Sequence, residues 1–408
     1  MLSREVARRY NFHEIRLPLV ERAELFQRSS GETSDIVEKQ MYVFSEGEEG
    51  SPLVALRPEG TPGVVRAFVE AGLDRREPEQ RYFYSGPMFR RERPQKGRYR
   101  QFNQFGVEVF GRADAACDAE LLIMIDDIRA ALGLELTTEI NSLGCPDCRP
   151  AFREALLKFG RDHWGELCDD CHGRLERNPL RLLDCKVDVK LAESAPKSLD
   201  YLCDACRTHF GKVQDYLAAA GVAFVINPRL VRGLDYYTRT AFEILSGGVG
   251  SQSAVVAGGR YDGLVEALGG ASIPGIGFAI GVERLAIAME SAMEAKAAAA
   301  SSATAFTSTI DGRPDVALIA IGEQAARRAM TLARALRGRA FRVEMMSPER
   351  RMKALLQRAD KIGARFVAIL GDDELARGVV QLRDLRLSRQ SEVAQTALVD
   401  TLESTMRS

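Results

Sequence analysis

The chain has 408 residues, of which 46% are apolar and 28% charged, with 56 Lys and Arg against 57 Asp and Glu for a net charge of −1. That length exceeds what one hydrophobic core serves, so two or three domains are expected, and the composition excludes disordered, collagen-like and fibrous chains. The near-neutral balance gives no chain-wide field for nucleic acid. No uncharged apolar run approaches the ~20 residues of a spanning helix, and the Met1–Val6 start lacks the apolar core of a signal peptide. The expectation is a cytoplasmic protein without a membrane partner, whose eight cysteines serve as thiols or metal ligands rather than disulfides.

In chain order, short strand-like runs stand at His13–Leu19, Tyr42–Phe44, Gln80–Tyr84, Phe102–Phe110, Ala241–Leu245 and Ile276–Ile280. Turns rather than regular crossover helices join them, which predicts an α+β domain, residues 1–303, on a mainly antiparallel sheet. Within it, residues 145–222 turn helical and hold most of the cysteines; they read as an insertion. The alanine- and serine-rich stretch Glu294–Thr309 is too poor in large apolar residues to fold alone, so a linker is expected over 294–313. Beyond it, apolar runs at Asp315–Ile321, Arg342–Met345 and Phe366–Leu370 alternate with helix patterns at Glu323–Leu336 and Arg350–Lys361. This is a small α/β domain, 314–408, with a largely parallel sheet. It carries 17 Lys and Arg against 12 Asp and Glu, a local +5 that suits a polyanionic partner and equally suits an ordinary solvated surface.

Four segments carry chemistry. Between Tyr82 and Gly111, Arg90, Arg91, Arg93, Lys96, Arg98 and Arg100 crowd a loop flanked by strands. Guanidinium groups suit phosphates because their rigid donors pair bidentately; a solvated basic hairpin is the alternative. Glu92, Gln104 and Glu108 lie among them and suit a ligand that bears donors beside its phosphates. The second segment, Leu56–Thr61, brackets a carboxylate and a hydroxyl in a tight turn. The third is Arg232–Thr238 with Ala257–Gly263 after it, where glycines permit close backbone approach and tyrosines offer flat faces with polar tips. Adjacent Gly258 and Gly259 do not match a dinucleotide fingerprint. The fourth, Gly275–Leu285, is a glycine-rich strand entering a helix with Arg284 in its first turn.

Together these segments resemble the class II aminoacyl-tRNA synthetases, and within them the histidyl-tRNA synthetase family. Tyr10–Glu21 resembles the first class II motif, a dimer-interface element; Phe89–Arg93 resembles the second and Gly281–Leu285 the third. Arg232–Thr238 and Ala257–Gly263 are similar to the elements that mark the histidine family. The resemblance implies a class II antiparallel sheet, a helical insertion and a C-terminal α/β anticodon-binding domain in a homodimer. It also implies a ligase that uses ATP with Mg²⁺ to activate L-histidine and then charges the tRNA for histidine. By the same resemblance, Arg90 holds the α-phosphate and the histidine carboxylate, and Glu92 reads adenine between Phe102 and Arg284. Glu59, Gly60, Thr61 and Gln104 take the α-amino group. Glu108, Tyr236, Tyr237 and Tyr261 form the imidazole pocket. Arg232 steadies charge at the α-phosphate. The attacking carboxylate is already an anion, so no protein base is required, and none of the four histidines lies in a motif. A non-catalytic paralogue that regulates ATP phosphoribosyltransferase is the rival reading; it typically lacks the tail and erodes these motifs.

The insertion holds three CxxC pairs: Cys145 with Cys148, Cys168 with Cys171, and Cys203 with Cys206. Four converging thiolates make the tetrahedral set favoured by structural zinc. Six exceed four, so zinc on four of them stands beside unliganded thiols and disulfides. Cys117 and Cys185 read as buried, isolated thiols.

Overall fold

The computed structural model describes residues 2–30, 36–45, 47, 51–232, 236–247, 254–297, 313–346 and 351–407. An eight-stranded sheet forms the body, in the order His13–Glu14, Gln80–Phe89, Gln101–Phe110, Gly275–Gly281, Ala254–Arg260, Thr238–Leu245, Thr137–Ser142 and Val225–Ile226. All its pairings are antiparallel except the two outermost. The antiparallel α+β expectation is met.

Behind the sheet runs the helix Ala115–Leu132, which the apolar periodicity does not reveal. Asp114 caps it by accepting from the Cys117 N–H at 3.1 Å, and Gly133 ends it in the left-handed region at φ 62°. It is buried almost all round, including Asp118 and Glu120. Asp118 is ion-paired with Arg260 and hydrogen-bonded to His209 Nε2 at 2.7 Å, which gives that buried histidine a structural partner. Burial alone would raise Asp118; Arg260 and His209 outweigh it and hold the carboxyl well below its usual range.

The insertion is helical as expected, with Arg149–Asp162 and Asp204–Ala219 its longest pieces. The helix Val282–Ala297 covers the start of the expected linker, of which 298–312 lie outside the described residues. After it, Val343–Met345, Val316–Ala320 and Phe366–Leu370 pair in parallel, as read from sequence. An antiparallel hairpin, Val379–Asp384 with Arg389–Ala394, extends that sheet and was not foreseen.

Candidate active site

One cleft of about 730 Å³ opens on the sheet, and the predicted segments converge on it. In strand Gln101–Phe110, residues two apart face the same way. Phe102 and Gln104 therefore line the cleft, and Glu108 sits deeper, 1% exposed. Glu59 and Gly60 precede the helix Thr61–Glu70, which Thr61 begins. Arg90 follows strand Gln80–Phe89, Arg232 enters from the loop before strand Thr238–Leu245, and Arg284 stands in the first turn of its helix. Gly233, Leu234 and Asp235 of the third motif lie outside the described residues.

The inner end is a buried acid lattice. Thr61 Oγ1 donates to Glu108 Oε1 at 2.6 Å, Tyr84 donates to the same oxygen at 3.4 Å, and the Tyr261 hydroxyl donates to Oε2. Tyr236 donates to Glu59 Oε2 at 3.0 Å. Burial pushes the Glu108 carboxyl up to about 8; the Thr61 and Tyr261 hydrogen bonds work against the rise and the charge on Glu59 adds to it. Gly277 lies directly opposite Glu108 across the strand pair. A Cβ at Gly277 would collide with the Glu108 carboxylate, so the bare backbone leaves room for the acid. Tyr84 is a member of this lattice that the sequence reading missed, although it alternates with Tyr82 on a run already assigned as strand.

The outer end is cationic. The Arg90 Nε donates to the Pro58 carbonyl at 2.9 Å, and its guanidinium lies 5.3 Å from the centroid of the Phe102 ring. Arg284 donates to the Gly97 and Ala254 carbonyls, each at 2.9 Å, while Glu92 pairs with Arg98 at 3.4 Å. Burial, with Arg98 and Arg90 nearby, lowers the Arg284 guanidinium from its ordinary value. Cations crowded this closely favour a polyanion between them. On the opposite wall Arg232 pairs with Glu243, a partner sequence reasoning did not find, and lies 5.4 Å from the centroid of the Tyr237 ring. Its Nε is buried without a hydrogen-bond partner among the described residues, as is Gln104 Oε1. A flat ring, a row of guanidiniums and a buried acid thus line one continuous cleft, with none of the four histidines among its lining residues.

A family model described as histidyl-tRNA synthetase matches residues 3–146 and 174–285. The chain belongs to the histidyl-tRNA synthetase family. A second model, the anticodon binding domain, matches residues 315–405. Among curated relatives, the histidine–tRNA ligase of Desulforamulus reducens is 47% identical over 401 residues, covering 98% of this chain and 92% of that protein. That of Geobacter sulfurreducens is 47% identical over 397 residues, covering 97% and 92%. The crystal structure of apo S. aureus histidyl-tRNA synthetase matches at a TM-score of 0.57 and 34% identity, covering 98% of this chain and 93% of that one. A structure described as an ATP phosphoribosyltransferase regulatory subunit/histidyl-tRNA synthetase from Bacillus halodurans C matches at a TM-score of 0.51 and 20% identity, covering 91% and 92%. It shares the fold alone. This histidyl-tRNA synthetase family member has no described helix long and apolar enough to cross a membrane.

The cysteines divide four and two. Cys145, Cys148, Cys203 and Cys206 come together, whereas Cys168 and Cys171 join Cys185 and Asp188. All eight thiols are free, so the disulfide alternative is not adopted. Cys185 is not the isolated thiol that the sequence suggested.

Proposed function

We infer that the chain is an ATP-dependent histidine–tRNA ligase in which the acid lattice holds histidine and the arginines hold ATP. The single observation carrying this reading is one cleft that joins a row of guanidiniums to Glu59, Thr61, Tyr237 and Tyr261, with Glu108 buried behind Thr61 and Tyr261 and hydrogen-bonded to both. Arg90 would bring the histidine carboxylate to the α-phosphate, with Phe102 and Arg284 around adenine and Glu92 at its edge. Glu59, Gly60, Thr61 and Gln104 would take the α-amino group, while Glu108, Tyr236, Tyr237 and Tyr261 surround the imidazole. Mg²⁺ belongs to this reading as the counter-ion that ATP brings with it. A carboxylate oxygen attacks the α-phosphorus, and the bond to pyrophosphate breaks with its electron pair leaving on that group. The tRNA 3′-terminal hydroxyl then attacks the acyl carbon, the bond from that carbon to the AMP oxygen breaks, and AMP departs with the hydroxyl proton on its phosphate. Positioning and charge stabilisation account for both steps without a protein base in the first. The expected result is pyrophosphate exchange into ATP with histidine and with no other amino acid. Absence of exchange in folded protein would favour the regulatory paralogue.

Glu108 gives this reading a pH signature. A carboxyl pushed up to about 8 by burial accepts from an imidazole N–H more strongly once it has lost its proton, because the charged acceptor makes the stronger hydrogen bond. Histidine affinity therefore rises with pH toward about 8 and then levels. Titrations monitored by protein fluorescence should show that slope, and Glu108→Gln should flatten it while weakening binding.

The sheet of Val20–Arg22, Leu53–Leu56 and Tyr42–Ser45 leaves Leu19, Val43, Phe44 and Leu53 exposed beside the first-motif segment. Val43 and Leu53 share one face of this sheet, since Val43 pairs with Ala55 two residues from Leu53. Exposed apolar side chains on one face suit an association surface, and a second copy in a homodimer is the proposed occupant. Val43→Glu combined with Leu53→Glu should shift the sedimenting species from dimer to monomer. In the insertion, one structural zinc is assigned to Cys145, Cys148, Cys203 and Cys206. Their sulfurs stand 3.6 and 3.9 Å apart in the Cys145–Cys148 and Cys145–Cys203 pairs, close to the ~3.8 Å edge of a tetrahedron with ~2.3 Å zinc–sulfur bonds.

A further inference from the structure

Between the two long helices of the insertion, the chain from 164 to 194 is built of fragments. They are a single turn at Trp164–Glu166, the six-residue helices Asp169–Arg174 and Val189–Ser194, and a short turn at Pro179–Leu182. Helices this short are not self-supporting. The apolar material offered to them is small: Leu167, Cys171, Leu175 and Leu182 form the buried cluster. A segment with so little core requires another source of cohesion. Residues Leu183, Asp184, Cys185, Lys186 and Val189 from this segment nevertheless form part of the cleft wall.

We propose that a second tetrahedral metal ion, zinc or a metal of similar chemistry, is held by Cys168, Cys171, Cys185 and Asp188. Their four ligand atoms all lie within 4.8 Å of one another. The Cys168 and Cys185 sulfurs are 3.8 Å apart, matching the tetrahedral edge of the first cluster. Three thiolates and one carboxylate are a closed set for zinc, with no position left for water. Cys171 and Asp188 are buried, 5% and 8% exposed, and the other two ligands are half-buried. The surrounding backbone already orients the ligands. The Asp188 N–H donates to Cys185 Sγ at 3.3 Å, and the Cys168 N–H donates to Asp188 Oδ2 at 3.1 Å. The Cys203 N–H donates to Cys148 Sγ in the same way at 3.1 Å. Such secondary bonds fix ligand direction and stabilise thiolate charge. The ion ties a CxxC turn at 168–171 to the strip 185–188, so it staples the cleft wall to the body of the insertion. The first cluster shares no ligand with it, and the two ions are independent.

Metal analysis of the full-length protein, purified without chelator, tests the assignment. Two zinc equivalents per chain are expected. Cys185→Ser and Asp188→Ala should each remove one, Cys145→Ser should remove the other, and Asp188→Cys should retain two by supplying a fourth thiolate. Should the single-ligand variants fail to fold, cobalt(II) titration of the unmodified protein reads the same point. Two equivalents should then enter with sulfur-to-cobalt charge transfer from seven thiolates. A single tightly held equivalent, or two equivalents unchanged by Cys185→Ser, overturns the second site. So does a second cobalt without charge transfer.

Discussion

Replacing Arg232 by alanine should slow adenylate formation by about 10²–10³ while moving histidine affinity little. The geometry behind this expectation is an arginine oriented before any ligand arrives. Glu243 holds one end of the guanidinium and the Tyr237 ring flanks it, while the buried Nε lacks a partner among the described residues. A group already aimed at the place where charge grows contributes to the transition state without reorganising. Histidine itself is held in the proposed reading by the Glu59 and Glu108 clusters, and Arg232 meets that pocket only through the Tyr237 ring, so its loss should cost histidine affinity far less than rate. Lysine at 232 should recover little, because a single ammonium cannot pair with Glu243 and still present a planar fork to a phosphate. Single-turnover adenylation, measured beside equilibrium histidine binding, separates the two quantities. Near-normal turnover in Arg232→Ala would remove this residue from the chemistry.

The chemical residues were more legible than the fold that carries them, and the reasons are physical. Strand Gln101–Phe110 shows its alternation because one face meets a polar cleft and the other a core, so Phe102, Gln104 and Glu108 appear as a set. The helix Ala115–Leu132 shows no such signal, because a helix buried on nearly every side has no polar stripe to set its period. Strand Ala254–Arg260 is hidden by Gly258 and Gly259, which have no side chains to continue an apolar alternation. A Cβ at Gly258 would press on Phe278 Cβ at 2.6 Å, so close packing demands the glycine within the sheet. The hairpin Val379–Asp384 with Arg389–Ala394 is polar on its outer strand, exposed at five of six positions, which removes the apolar pattern. Cys185 and Asp188 escaped because they keep the three-residue spacing of a CxxC pair but carry a carboxylate where the second cysteine would have marked it. Arg232 was legible and Glu243 was not, since a lone acid in a strand declares no partner.

Glu120→Gln should destabilise the whole chain by about 3–5 kcal/mol, the cost of leaving buried guanidinium charge uncompensated. Glu120 is 1% exposed and lies between two arginines of different domains. Arg81, from the strand that leads into the basic loop, pairs with it at 2.8 Å, and Arg337 of the tail pairs with it at 2.5 Å. Arg337 also lies 3.7 Å from the centroid of the Tyr10 ring and donates to the Val343 carbonyl at 2.7 Å. Around this centre, Arg112 donates to the Met345 carbonyl at 2.9 Å and Arg358 reaches Glu79 at 3.2 Å. The tail is thus ion-paired into the back of the body that carries the cleft. Removing Glu120 leaves both arginines in place, whereas Arg337→Met leaves a one-to-one Arg81–Glu120 pair. The glutamine variant should therefore unfold at the lower temperature of the two. The double variant should cost less than the sum of the singles, since the residues share one network. The pH dependence has a definite sign. Burial alone would raise the Glu120 carboxyl, but Arg81 and Arg337 outweigh it and hold it below its usual value. A carboxyl depressed in the folded state stabilises above its unfolded pKa, and that contribution disappears as pH falls through the folded value. Asp114, lowered to about 2 by Arg112 against the opposing effect of burial, loses its contribution in the same acid range. Thermal unfolding followed from pH 7 downward should show the wild type falling toward Glu120→Gln as Glu120 takes up its proton. A constant gap between the two at every pH would mean that Glu120 acts through packing, and the tail would then be held by shape rather than charge.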